Sequence, residues 1–146
     1  MNADDRPTLS EFQEALREAG VRVTAQREAV WTLFLRRPKG LTTGEAAALL
    51  GREGIGTATV YRAATLFERL GFLLRVQDTK GEQRLLARRP GHAHLLLCDS
   101  CGRVEQFRTC GFDVLEKLLE AETGFRVRNH NLEVRGICPG CAGGSK

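Results

Sequence analysis

Two cysteine pairs, Cys98-Asp99-Ser100-Cys101 and Cys138-Pro139-Gly140-Cys141, are separated by 36 residues in a chain of 146. A two-residue gap lets both thiolates of a pair reach a common point about 2.3 Å away, and two such pairs complete a tetrahedral zinc shell. Neither pair sits in the strand-to-helix context of a thioredoxin-type redox site. A structural zinc held by Cys98, Cys101, Cys138 and Cys141 is therefore the expected chemistry. Cys110 is the odd cysteine out and reads as a plain thiol rather than a ligand.

All three histidines, His92, His94 and His130, share that part of the chain. "HLLLC" has strand composition, and residues two apart on a strand share a face, so His92 and His94 can chelate one ion. His130 keeps phase with Leu132 and Val134 and could be a satisfied core group. Confinement of all three imidazoles to one half argues instead for a shared ligand role. An oxygen donor would complete such a site, either Asp113, at the start of "DVLEKLLEAETG", or Glu105 in "RVEQF". A mixed nitrogen and oxygen site suits zinc, ferrous iron or manganese and exchanges more readily than a thiolate cage. The pair of sites implies a scaffold metal beside a sensed one.

The elements that precede these ligands carry the charge. Residues 1–90 hold 15 Lys/Arg against 11 Asp/Glu, whereas residues 91–146 hold 7 of each, so the whole net charge of +4 is N-terminal. No apolar run of about 18 residues is present, and "MNADDRPTLSEF" lacks the basic and apolar regions of a secretory signal. A cytoplasmic protein with no membrane partner is the expectation. Helices are predicted over 9–19 (Leu9, Phe12, Leu16 and Ala19 inward), from an N-cap at Thr24 to before Pro38 (Ala29, Val30, Leu33 and Phe34 inward), over a short segment closed by Gly51, and over "TATVYRAATLFERLG". In the last, Val60, Ala64, Phe67 and Leu70 form the inner face, leaving Thr59, Tyr61, Arg62, Ala63 and Arg69 less committed. "FLLRVQDTKGEQRLLA" predicts two strands around Thr79-Lys80-Gly81, with Arg75, Lys80 and Arg84 on the hairpin. A helix-turn-helix followed by a basic hairpin is a winged helix, which would place Tyr61 and Arg62 at the reading end of its second helix.

Taken in order, "RVTAQREAV", "TATVYRAATLFERLG", "HAHLLLCDSCGRV" and "NHNLEVRGICPGC" resemble the ferric uptake regulator family over roughly residues 8–142. The resemblance implies an α+β chain: a winged helix-turn-helix domain (1–88), a hinge near "ARRPGH", and a small α/β dimerisation domain with structural zinc (89–146). It implies a metal-responsive repressor that binds palindromic double-stranded operator DNA as a homodimer when a regulatory divalent metal (zinc, manganese or iron) is held. No enzymatic activity and no small organic substrate are expected. Tyr61 and Arg62 would contact bases or phosphates with help from Thr59, and Arg22 would lie near the minor groove or backbone.

The chain departs from the family pattern in places. Lys39-Gly40 stands where a histidine is common, and Leu86 where a glutamate is common, so two ligands of the usual hinge site are missing. The spacing is HxHxxxC where HxHxxC is common. Counted back from Cys98, His92 and His94 correspond to the pair that joins an acidic residue and a distant histidine, here Asp113 and His130. Matched by the HxH pattern alone they would belong to the hinge site, with Glu82 as partner. The first register supplies four ligands and is adopted. Two rivals remain at this point: a zinc-dependent hydrolase using His92, His94 and Asp113, and a structural zinc protein without metal-gated DNA binding.

Overall fold

The computed structural model describes residues 7–143; the extreme N-terminal stretch read for a signal, residues 1–6, lies outside the described residues. Helix α1 (Leu9–Glu18) starts at a capping box. The Thr8 hydroxyl accepts from the Glu11 amide and Glu11 accepts from the Thr8 amide, satisfying two of the donors a helix start leaves open. Thr24 caps α2 (Ala25–Leu35) in a similar way, and Thr42 with Glu45 forms a second capping box for α3 (Thr43–Gly51). Helix α4 (Thr57–Arg69) begins at Gly56 with no side-chain cap.

These four helices bury one aromatic centre. Phe12 stacks on Trp31 at 4.8 Å, Phe67 meets Phe12 edge-on at 5.0 Å, and Phe72 closes the group. The inner face of α2 differs from the expected one: Val30, Trp31 and Phe34 are fully buried, while Ala29 and Leu33 are partly buried. On α4, Ala63 joins Val60, Ala64 and Phe67 in the core.

Strands β1 (Leu73–Gln77) and β2 (Gln83–Ala87) form the antiparallel hairpin, and Leu41 bridges Leu85 to add a third backbone segment. Gly40 precedes that bridge with φ +72°, and a Cβ there would lie 2.7 Å from the Leu85 carbonyl oxygen. A side chain at position 40 is thus disfavoured twice, by conformation and by space. Arg84 accounts for much of the hairpin's attachment. Its guanidinium donates to Asp78 at 2.8 Å and to both Glu45 oxygens at 3.0 and 3.1 Å, pinning β2 to α3. Arg75 similarly pairs with Glu68. These two arginines hold the wing in place and are not the open basic edge expected of the hairpin.

The second sheet has the order β4-β3-β5, with β3 (His94–Cys98) antiparallel to β4 (Val104–Phe107) and parallel to β5 (Glu133–Gly136). Helix α5 (Asp113–Thr123) lies in the connection between β4 and β5, and the short α6 (Pro139–Ala142) follows. Val76, Leu86 and Leu97 form a small cluster joining the hairpin to this sheet. Leu86, which replaces the acidic residue common in the family, is therefore packing material. The buried Gln106 of β4 strengthens the junction: it donates to the Ala87 carbonyl at 2.8 Å and accepts from the Arg89 amide at 2.9 Å.

No residue of α5 is buried. Val114 (68% exposed), Leu115, Leu118 (60%) and Leu119 of α5 lie open, as does Phe125 (76%) just after it, and Leu96 of β3, Val134 of β5 and Ile137 immediately after β5 are exposed as well. Burying a large apolar side chain is worth about 1.5–3 kcal/mol. Eight left open within one small unit form a surface that needs a cover.

Candidate metal centres and reading helix

The four paired cysteines meet where β3 ends and α6 begins. Cys98 closes β3, the turn after it returns Cys101 through Gly102 (φ +72°), Cys138 is the N-cap of α6, and Cys141 lies within it. The second pair thus does stand at a strand-to-helix turn, between β5 and α6, contrary to the expectation for both pairs, but its sulfurs converge with those of the first pair, as a metal shell requires. The sulfurs of both pairs lie within 4.8 Å of one another, and no disulfide joins any of the five cysteines. A tetrahedral zinc with bonds of about 2.3 Å puts its sulfurs about 3.8 Å apart. Cys101 and Cys138 are separated by 3.7 Å, so the donor set fits the ion.

The thiols also bear the electrostatic mark of a crowded anionic site. Backbone amides of Cys138, Cys101 and Ser100 hold the Cys98 thiol down to about 6, against burial, which raises it. At Cys141 the Ser100 hydroxyl lowers the thiol's value, but the neighbouring thiols and burial together outweigh it and push it up to about 11. Four sulfurs in one place cannot all ionise without a cation among them.

A second group forms around the histidines. His94 opens β3 and is 1% exposed; His92 reaches the same point from the bend before the strand, and His130 from the segment before β5. His92 Nε2 lies 3.0 Å and His94 Nε2 3.3 Å from His130 Nε2. Three imidazole nitrogens bound tetrahedrally at about 2.0 Å would stand about 3.3 Å apart. The His130 ring is fixed on two sides. Phe112 stacks on it at 4.4 Å, and its Nδ1–H donates to Glu116 Oε1 at 2.6 Å, which leaves the Nε2 lone pair directed at the other two rings. Burial, followed by the neighbouring His92 and His130 charges, holds His94 below the ordinary imidazole range, so its neutral, ligating form is favoured. The buried Nδ1 of His94 has no hydrogen-bond partner. Mutually facing lone pairs that cannot all satisfy one another fit a divalent cation better than they fit hydrogen bonding.

The fourth member of this group is Cys110, whose sulfur lies 3.2 Å from His130 Nε2. Asp113, taken from sequence as the fourth ligand, contributes no atom to it. The reason is the turn before α5. Phe112 docks on His130, which brings Cys110 round to the rings; Asp113 then faces out from the first helical position, and Glu116, one turn later, reaches the far nitrogen of His130. Glu105 is occupied on β4 by the Arg103 guanidinium at 2.7 Å, and Glu82 lies exposed at the hairpin beside Arg84 at 3.7 Å. Neither approaches the histidines among the groups formed by the described residues. Glu116 and Gln106 escaped the sequence reading. Glu116 carries the signal of i, i+3 spacing from Asp113, and Gln106 carries none.

On the first domain, Tyr61 (47% exposed) and Arg62 project from the first turns of α4, and Arg62 lies 3.5 Å from the half-buried Thr59 hydroxyl. The Tyr61 hydroxyl reaches over Gly44 of α3. Arg22 is exposed in the segment before α2.

The sequence profile of the ferric uptake regulator family matches residues 18–135. The peroxide operon regulator of Bacillus subtilis (strain 168) is 32% identical over 136 residues, covering 92% of this chain and 93% of its own length. The crystal structure of the Vibrio cholerae ferric uptake regulator superposes with a TM-score of 0.62 at 27% identity, covering 87% of this chain and 99% of that one. A zinc uptake regulator solved in complex with zinc and DNA shares the fold with a TM-score of 0.72 at 24% identity, over 92% and 93% of the two chains.

Proposed function

The chain belongs to the ferric uptake regulator family of metal-responsive transcriptional regulators, and from that premise we propose that it represses as a homodimer whose grip on a palindromic operator is set by cation capture at His92, His94 and His130. The observation that carries this reading is the convergence of three imidazole nitrogens, separate from the four-thiolate group and next to the junction with the winged helix. A regulator needs no turnover chemistry, so the hydrolase alternative loses its ground. No helix among the described residues is long and apolar enough to cross a membrane.

The division of labour follows the chain: residues 1–88 read DNA, and residues 89–146 pair the protomers and hold the metals. Thr59, Tyr61 and Arg62 supply base and phosphate contacts from α4, with Arg22 on the backbone or minor groove. The open apolar face of α5, with Leu96, Val134 and Ile137, is covered by the second protomer. Cys98, Cys101, Cys138 and Cys141 hold the structural zinc, tying the end of β3 to α6.

A divalent cation supplies the charge that lets clustered donors stay in contact. The chain's own residues do the rest. His94 pairs with Phe107 across β3 and β4, and the preceding residue of β4 is Gln106, whose amide holds Ala87 and Arg89. Drawing His92, His130 and the loop after β4 onto His94 steadies that strand end, and Gln106 passes the constraint to the residues from which the wing departs. The recognition helices of a dimer are thereby set at one spacing, matched to successive major grooves. Selection from a random duplex pool with metal present, and again with chelator, tests this. A palindromic site should be recovered with metal alone, and recovery of the same site under both conditions would overturn metal gating.

A further inference from the structure

We infer that Cys110 closes the three-histidine site as a thiolate, making it a tetrahedral three-nitrogen, one-sulfur cage that selects zinc over manganese and ferrous iron. The inference deepens the reading of His92, His94 and His130 as the sensed site and rests on it.

Donor identity comes first. Asp113, Glu105 and Glu82 lie outside the group, and the one carboxylate that touches it, Glu116, is bound to the outer nitrogen of His130 and so stands behind a ligand. The sulfur of Cys110 is 3.2 Å from His130 Nε2, on the side where the His92 and His94 nitrogens converge. No second cysteine belongs to this group, so a disulfide is not the alternative fate of that thiol. Softness and geometry follow. Manganese favours octahedral oxygen sites, and ferrous iron in mixed sites commonly pairs histidine with a carboxylate, whereas zinc takes four imidazole and thiolate donors in a tetrahedron. Charge balance agrees: one thiolate leaves a bound dication with a single positive charge, and Glu116, one bond removed through His130, offsets it. Capture releases the thiol proton to solvent. His92, the exposed member, gives the route of exchange.

Cobalt reports the ligand set. Protein carrying one zinc per protomer in the four-thiolate site is titrated with cobalt(II), with zinc content measured throughout to show that the first site is undisturbed. Wild type should develop tetrahedral ligand-field bands together with a near-ultraviolet sulfur-to-cobalt charge-transfer band. Cys110→Ser should still take up cobalt, through its histidines, but without the charge-transfer band and at least about tenfold more weakly, since loss of even a partner behind a ligand costs that much. Zinc should displace the cobalt one for one, and a large excess of manganese should not. An unchanged charge-transfer band in Cys110→Ser, a site lost in Asp113→Ala and retained in Cys110→Ser, or displacement by manganese would each overturn the inference while leaving the histidine site standing. Failure of wild type to bind cobalt beyond the first site would overturn both.

Discussion

Replacing Gln106 with leucine keeps the bulk of a buried side chain while removing the two hydrogen bonds, of 2.8 and 2.9 Å, that fasten Ala87 and Arg89 to β4. Each such bond contributes about 1 kcal/mol, so the junction loses about 2 kcal/mol of preference for its present arrangement. At about 1.4 kcal/mol per factor of ten, operator affinity of the metal-saturated protein should fall by about 30-fold if that arrangement is the one that binds DNA. The loss should spare the metal sites, because Gln106 touches none of their ligands. The assay is a mobility shift of operator DNA by metal-saturated wild type and Gln106→Leu, beside a cobalt titration and a sedimentation measurement of dimerisation. Operator binding by the variant as tight as wild type, with both sites loaded, would refute the role given to Gln106 in connecting site and reading head.

Tyr61→Ala combined with Arg62→Ala should abolish operator binding in a mobility shift while metal content and dimerisation remain as in wild type, since both side chains project from α4 into solvent. Gly40→Ala should cost about 1–3 kcal/mol in denaturant unfolding, because φ is +72° and the new methyl meets the Leu85 carbonyl oxygen at 2.7 Å. Gly20→Ala, at φ +69° in open space, should cost less, and equal costs would contradict the steric argument. Asp78 is held below the ordinary carboxylate range by Arg84, and Glu45 by the Thr42 amide and then Arg84. Their ionised forms are favoured by the fold, so the stability they contribute is complete above about pH 4 and is lost as pH falls below it. Thermal unfolding of Arg84→Met should therefore start lower than wild type at neutral pH and decline less in acid; parallel curves would show that Arg84 does not act through these carboxylates.

The first three helices were legible from their threonine caps and from breakers that follow them, down to Thr24 and Gly51, although on α1 only Phe12 and Leu16 of the expected inner face are buried and Leu9 and Ala19 are exposed. Helix α4 starts at Gly56 without a side-chain cap and was legible from apolar spacing alone. Trp31 was not, since α2 carries apolar residues on most of its circumference and only neighbouring helices decide which side is inside. The four-thiolate site was legible from spacing alone, as a turn of fixed length brings each pair together. The histidine site was legible in part. His92 and His94 announce themselves, but the choice between Cys110 and Asp113 depends on how the chain turns between β4 and α5, and that turn is set by Phe112 stacking on a histidine distant in sequence. Basic residues on the hairpin suggested a charged wing, yet Arg75 and Arg84 have acidic partners seven and 39 residues away, a pairing that composition cannot reveal. The junction was legible as missing ligands at Gly40 and Leu86. What replaced them, a packed leucine and a two-armed glutamine, was not.

The most direct measurement is operator affinity against metal equivalents, in protein first brought to one zinc per protomer and then titrated with a second. Affinity should stay low through the first equivalent and rise by about 100-fold across the second, a coupling of about 2.7 kcal/mol, with His92→Ala abolishing the rise. Full operator affinity at the first equivalent, unchanged by the second or by His92→Ala, would contradict regulation through the histidines.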